Sequence, residues 1–125
     1  MRILVLDDEP AVCDVVADIL RSRGFDVAVA CQGEEAVATL ERGDRFDLAV
    51  VDVVMPRIAG DEFARRLRTY DRDAKVLFLT GYPGALFQAR PTLWDGEAFL
   101  EKPFSEKGLV EAVSLLLYGR IGQSA

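Results

Sequence analysis

The chain has 125 residues, with 15 Lys+Arg against 21 Asp+Glu for a formal net charge of −6, and it contains no histidine. That length suits one domain with one ordinary core, and the acidic balance argues against a nucleic-acid surface, which needs clustered Lys and Arg. Without histidine the chain cannot run Ser-His-Asp or Cys-His catalysis, hold a His-ligated zinc or carry a phosphohistidine.

In chain order, Ile3-Leu4-Val5-Leu6 is a continuous apolar run ended by Asp7-Asp8-Glu9-Pro10, the pattern of a strand buried on both faces that stops at a polar rim. The period then changes. From Pro10, a favourable first helical residue, Val12, Val15, Val16, Ile19 and Leu20 follow helical spacing until Gly24. Asp26 to Ala30 reads as a shorter, more polar strand, and Gly33-Glu34-Glu35 opens a helix that carries Ala36, Val37 and Leu40 inward and closes at Gly43.

Leu48-Ala49-Val50-Val51 is a third strand, ended by Asp52. After Met55-Pro56 and a loop around Gly60, Phe63, Ala64 and Leu67 mark a third helix with Arg65, Arg66 and Arg68 on its wet side. Val76 to Leu79 is a fourth strand ended by Thr80, and Ala98-Phe99-Leu100 a fifth ended by Glu101-Lys102-Pro103. Between them Pro83, Gly84, Pro91 and Gly96 leave room only for a short helix near Ala85 to Arg90. Leu109, Val110, Val113, Leu116 and Leu117 give a last helix with Ser105 as its N-cap.

Alternating strands and helices imply parallel pairing through right-handed crossovers, and apolar strands imply helices on both sheet faces. The predicted fold is a doubly wound α/β domain over residues 1–119, with 120–125 as a C-terminal tail. No apolar run approaches the roughly 20 residues that span a bilayer, and the N-terminus leads into a strand rather than a signal peptide, so a cytoplasmic location without membrane contact is expected. Cys13 and Cys31 lack a C-x-x-C spacing and are too few for a zinc site; both are read as buried small apolar residues.

In an open α/β sheet the ligand site lies outside the carboxyl ends of the strands. Here those ends carry Asp7 and Asp8, then Asp52, Thr80 and Lys102. Three convergent carboxylates repel one another unless a cation neutralises them, and an open, all-oxygen site suits Mg2+. A metal with a nearby lysine is also the combination that neutralises a phosphoryl group. With Asp52 as nucleophile, the acyl phosphate would be held by Mg2+, the Lys102 ammonium and the Thr80 hydroxyl, and Gly81 would leave room for its approach.

Asp7-Asp8-Glu9, Asp52-Val53-Val54-Met55-Pro56, Thr80-Gly81 and Lys102-Pro103-Phe104, in this order at four strand ends, resemble the receiver domain of two-component response regulators over essentially the whole chain. The resemblance implies a flavodoxin-like five-stranded parallel sheet of order 2-1-3-4-5. It implies that Asp52 takes a phosphoryl group from a phosphohistidine on a sensor histidine kinase or histidine phosphotransfer protein, with Lys102 and Thr80 as its catalytic partners. Mg2+ would be bound by Asp8, Asp52 and the carbonyl of Val54, with Asp7 acting mainly through water. Thr80 and Phe99 would form the switch that alters the surface read by a downstream protein target. Phe99 has no hydroxyl, so it would act by packing alone, and it counts as partly core whether or not it is a switch.

The expected assembly is a monomer or a phosphorylation-dependent dimer. The chain is similar also to receivers fused to hybrid sensor histidine kinases, so a domain cut from a hybrid kinase or a larger regulator stands as the alternative. Trp94 either folds back as a lid on the core or belongs to a partner surface. Val54 and Tyr82 flank the expected path of hydrolytic water, and an apolar Val54 cannot orient it, which predicts slow self-dephosphorylation. Three other functions fit less well. A haloacid-dehalogenase-type phosphatase would place a second Asp two residues after its nucleophile, where this chain has Val54. A flavin or dinucleotide carrier needs a phosphate loop where Asp7-Asp8-Glu9 would repel phosphate. A DNA-binding regulator needs a basic helix-turn-helix that is not present, so the output is expected to pass through protein contact.

Overall fold

The computed structural model describes residues 1–82, 84, 93 and 95–119. Its elements run β1 (Arg2–Leu6), α1 (Pro10–Ser22), β2 (Asp26–Ala30), α2 (Gly33–Glu41), β3 (Leu48–Asp52), α3 (Gly60–Tyr70), β4 (Lys75–Thr80), β5 (Glu97–Glu101) and α4 (Glu106–Tyr118). The five strands form one sheet in the order β2-β1-β3-β4-β5, and every pairing is parallel.

The apolar runs dictate this arrangement. A strand without a polar face has to be covered on both sides, and two separate core clusters do so. Leu4, Leu6, Ala49, Val51, Val76 and Phe78 pack beneath α2 and α3, whose Leu40, Phe63 and Leu67 complete that layer. Ile3, Val5, Leu48, Val50, Leu77 and Leu79 face the other way, against Val16 and Leu20 of α1 and Leu109 and Val113 of α4. Alternation along each strand thus assigns neighbouring residues to opposite layers.

Local signals mark the helix ends. Pro10 occupies the first turn of α1, and Gly24 just beyond it has φ +90°, a conformation that glycine adopts without steric cost. The Ser105 side chain accepts a hydrogen bond from Gly108 N at 2.9 Å, as its N-cap role requires. The short helix expected near Ala85 to Arg90, Trp94 and the tail 120–125 lie outside the described residues. Cys13 is 1% exposed and belongs to the core; Cys31, expected to be buried as well, is only half-buried and borders a surface groove. It sits one residue past the end of the edge strand β2, where the chain turns toward α2 and no further strand among the described residues covers it.

Candidate functional site

The strand order reverses beside β1: the chain passes from β1 outward to β2, then crosses back to β3 on the other side. Loops leaving β1 and β3 therefore diverge and leave a crevice at the carboxyl ends of the strands. Asp8, Glu9, Asp52, Val54, Thr80, Gly81, Tyr82 and Lys102 line a cleft there of about 410 Å³. Asp7 lies just beneath it with a fully buried side chain.

Backbone bonds fix the rim. Val53 N donates to Leu79 O at 3.0 Å and Lys102 N to Thr80 O at 2.7 Å, which ties the ends of β3, β4 and β5 together. Asp7 N donates to Ala30 O at 3.3 Å, extending the β1–β2 ladder to the first acid. Asp52 closes β3 as its last residue rather than following it, and is 6% exposed.

The carboxylates of Asp7, Asp8 and Asp52 offer oxygens that all lie within 4.8 Å of one another. Lys102 Nζ reaches across from beyond β5 to stand 3.0 Å from Asp7 Oδ2, 3.8 Å from Asp52 Oδ2 and 3.9 Å from Glu9 Oε1. Asp7 has both oxygens engaged, because its Oδ1 accepts Glu9 N at 2.9 Å. Asp52 is less well served: Val54 N donates to its Oδ1 at a long 3.4 Å.

That difference sets the electrostatics. Burial, then the charge of Asp7, pushes the Asp52 carboxyl up from 3.8 to about 7, against the opposing pull of Lys102. Burial alone would lower Lys102, but its hydrogen bond to Asp7 and the charges of Asp52, Asp7 and Glu9 prevail and hold it above its ordinary value. When the three aspartates and Glu9 are ionised, one ammonium faces four carboxylates. A divalent cation would offset much of that excess, and a hard, oxygen-only donor set fits Mg2+.

Thr80 is 1% exposed, and its Oγ1 accepts Tyr82 N at 2.8 Å. Val54 and Tyr82 stand at the mouth, 54% and 73% exposed. A methyl group built on Gly81 would meet no heavy atom within 4 Å, so the fold does not require glycine there; the requirement would come from what enters the cleft.

Phe99 stands opposite Phe78 in the β4–β5 register and on the same sheet face as Thr80, two residues further along β4. It is 38% exposed, so part of its surface is covered and part faces solvent. It stands on the edge strand β5, which pairs with β4.

Two contributors were missed from the sequence. Glu9 lines the cleft and pairs with Lys102; its place directly after Asp7-Asp8 was the available signal. Gly60, whose N donates to Val53 O at 3.0 Å, begins α3 so close to β3 that a Cβ there would run into the Asp52 carbonyl oxygen. No one-dimensional pattern announces that approach.

The sheet order and the acid-lined crevice define a doubly wound, flavodoxin-like domain built to act at its carboxyl edge. A family model described as the response regulator receiver domain matches residues 3–114. The chain belongs to that family and is a receiver domain of two-component signal transduction.

It is 34% identical over 117 residues to the transcriptional regulatory protein TrcR of Mycobacterium tuberculosis, covering 94% of this chain and 45% of that protein. The crystal structure of the receiver domain from the hybrid histidine kinase CckA superposes with a TM-score of 0.79 at 38% identity, covering 94% of this chain and 99% of that one. The response regulator TrrA of Thermotoga maritima, solved in complex with Mg2+–BeF, gives a TM-score of 0.79 at 35% identity over 93% of this chain and 98% of that one. The chain spans about half the length of TrcR, and 12% of the sensor kinase CckA of Brucella abortus. Among the described residues no helix is long and apolar enough to cross a membrane.

Proposed function

We propose that Asp52 is the phosphoacceptor and that this chain takes its phosphoryl group from a phosphohistidine on a sensor histidine kinase or a histidine phosphotransfer protein. The observation that carries this reading is the convergence of the Asp7, Asp8 and Asp52 oxygens within 4.8 Å, with Lys102 Nζ 3.8 Å from Asp52. In the transfer an Asp52 oxygen attacks phosphorus, the new O–P bond forms as the N–P bond breaks, and the imidazole leaves with the electron pair and takes up a proton. Lys102 offsets the charge on the phosphoryl oxygens. Thr80 Oγ1 already accepts from Tyr82 N, so its own hydroxyl hydrogen is the part left to donate to a phosphoryl oxygen.

Asp8, Asp52 and the Val54 carbonyl are the direct ligands proposed for Mg2+. Asp7, with both oxygens committed to Lys102 and Glu9 N, acts through water. When bound, the cation keeps Asp52 ionised and neutralises the charge that gathers during transfer. TrrA, whose structure holds Mg2+–BeF, supports this choice by likeness.

An apolar groove of about 500 Å³ along Ala11, Val12, Val15, Pro103 and Phe104 shares Glu9 and Lys102 with the cleft, and suits a protein donor better than a free small molecule. Turning the Thr80 hydroxyl toward phosphorylated Asp52 frees volume on the face that Phe99 shares, and the ring can swing inward by packing alone. The altered surface is then read by a downstream protein. The likeness to the CckA receiver keeps a place within a hybrid kinase as the second reading, and residues 1–119 are proposed as the domain in either case.

Incubation with a small phosphodonor and Mg2+, followed by intact mass, tests the core of this reading. One phosphoryl group is expected on the parent protein and none on Asp52→Asn. A parent protein that gains nothing would refute it.

A further inference from the structure

Cys13 and Cys31 stand next to the acidic cleft but take no part in phosphoryl transfer. Cys13, on α1, is 1% exposed, and its thiol donates to Asp7 O at 3.2 Å and lies 3.8 Å from Ala30 O. Ala30 O belongs to the peptide that leads into Cys31, and Cys31 packs against the same apolar cluster that holds Cys13. Cys31 is half-buried and opens onto a groove of about 210 Å³ that it shares with Asp8, Met55 and Arg57. One sulfur can thus meet a solute, and the other waits directly behind it.

We propose that this thiol pair is an oxidation site, in which hydrogen peroxide converts Cys31 and Cys13 to an intramolecular disulfide. The Cys31 sulfur attacks the peroxide, an S–O bond forms as the O–O bond breaks, and the departing hydroxide takes the Cys31 proton and leaves as water; the sulfur is oxidised to the sulfenic acid and the peroxide is reduced. The Cys13 sulfur then displaces that hydroxyl. The S–S bond forms, the S–O bond breaks, and the hydroxyl leaves with the Cys13 proton as a second water. Access fixes the order, since a side chain 1% exposed cannot meet the oxidant first.

The disulfide would join α1 to the β2–α2 connection and remove the hydrogen bond that Cys13 gives Asp7 O. Asp7 is the residue that holds Lys102 in the cleft, so the modification should also slow phosphoryl uptake; this second effect rests on the function proposed above.

The test treats the full chain with hydrogen peroxide and measures intact mass and free thiols. A monomer about 2 Da lighter, with no alkylatable thiol and reversed by dithiothreitol, is expected. Cys13→Ala should instead accumulate a dimedone-trappable sulfenic acid at Cys31, and Cys31→Ser should leave Cys13 unoxidised. Stepwise oxygen addition to the parent chain without mass loss, or a disulfide that joins two chains, would overturn the pair as a site. Phosphoryl uptake by the oxidised chain, set against the same chain after reduction, should be several-fold slower. Equal rates would sever the link to the cleft while leaving the disulfide standing, and a reduced chain that takes up no phosphoryl group would refute Asp52 as acceptor instead.

Discussion

The ends of β1 and β3 each carry a buried aspartate beside the same lysine, and they are treated differently. Asp7, fully buried, has Lys102 Nζ at 3.0 Å and Glu9 N at 2.9 Å. Asp52 has the same ammonium at 3.8 Å and one long backbone bond at 3.4 Å, and its carboxyl is pushed up to about 7. A carboxylate whose lone pairs are already engaged is a poor nucleophile and a good anchor. One that is desolvated and under-bonded gains most from an incoming cation and has an oxygen left for phosphorus. Site geometry thus distinguishes two chemically identical side chains, one fully engaged and one under-bonded, and the second is the acceptor we propose.

The largest expected effect breaks the anchor. Lys102→Ala leaves Asp7 buried without its ammonium and should cost about 3 kcal/mol in stability, read by urea denaturation, because an uncompensated charge remains. Adding Asp7→Asn to that variant should recover much of the loss; if it does not, Asp7 is not the residue that Lys102 serves. Gly60→Ala comes next, at about 2–3 kcal/mol, since the new methyl forces α3 away from the Asp52 carbonyl. A crystal structure or amide shifts at residues 52–54 should register the displacement, whereas unchanged stability would show that the close approach relaxes freely.

The third prediction concerns pH. In the metal-free protein Asp52 titrates near 7, against 3.8 when unperturbed as in the unfolded chain, so the folded state binds more protons across that interval. Its contribution to stability is full below about 3.8 and is lost as pH rises through about 7. At pH 8 without Mg2+, Asp52→Asn should therefore stabilise the protein, by on the order of 2 kcal/mol. Added Mg2+ should raise the melting temperature of the parent chain and not of the variant. A parent chain indifferent to both pH and Mg2+ would remove the distinction between the two aspartates. The smallest effect on stability, within about 0.5 kcal/mol, belongs to Val54→Asn at the exposed mouth. Decay of the phosphorylated protein should be faster in that variant, because an amide can orient water where an isopropyl group cannot. An unchanged decay rate would place control of the water elsewhere.

Much of this was legible in one dimension. Asp7, Asp8, Asp52, Thr80 and Lys102 each end or directly follow an apolar run, and parallel strands have to present their carboxyl ends at one edge; the residues that meet in the cleft were therefore readable from where each run stops. Glu9 could have been added by the same rule. Gly60 could not, because its requirement is a distance to a residue on another element. That Phe99 would stand 38% exposed on the edge strand could not be read either, since one residue's hydropathy does not state which strand is outermost.

Length pointed to one ordinary core, the acidic balance argued against a nucleic-acid surface, and the absence of histidine excluded a phosphoryl group carried on histidine. Apolar periodicity is a local property, so element types and strand ends followed from it directly. Which aspartate is satisfied and which is exposed to chemistry, and that one cysteine of two reaches a groove while its neighbour lies behind it, were decided only by tertiary structure. Both depend on ångström-scale distances between side chains remote in sequence, and those distances are set by how the layers pack.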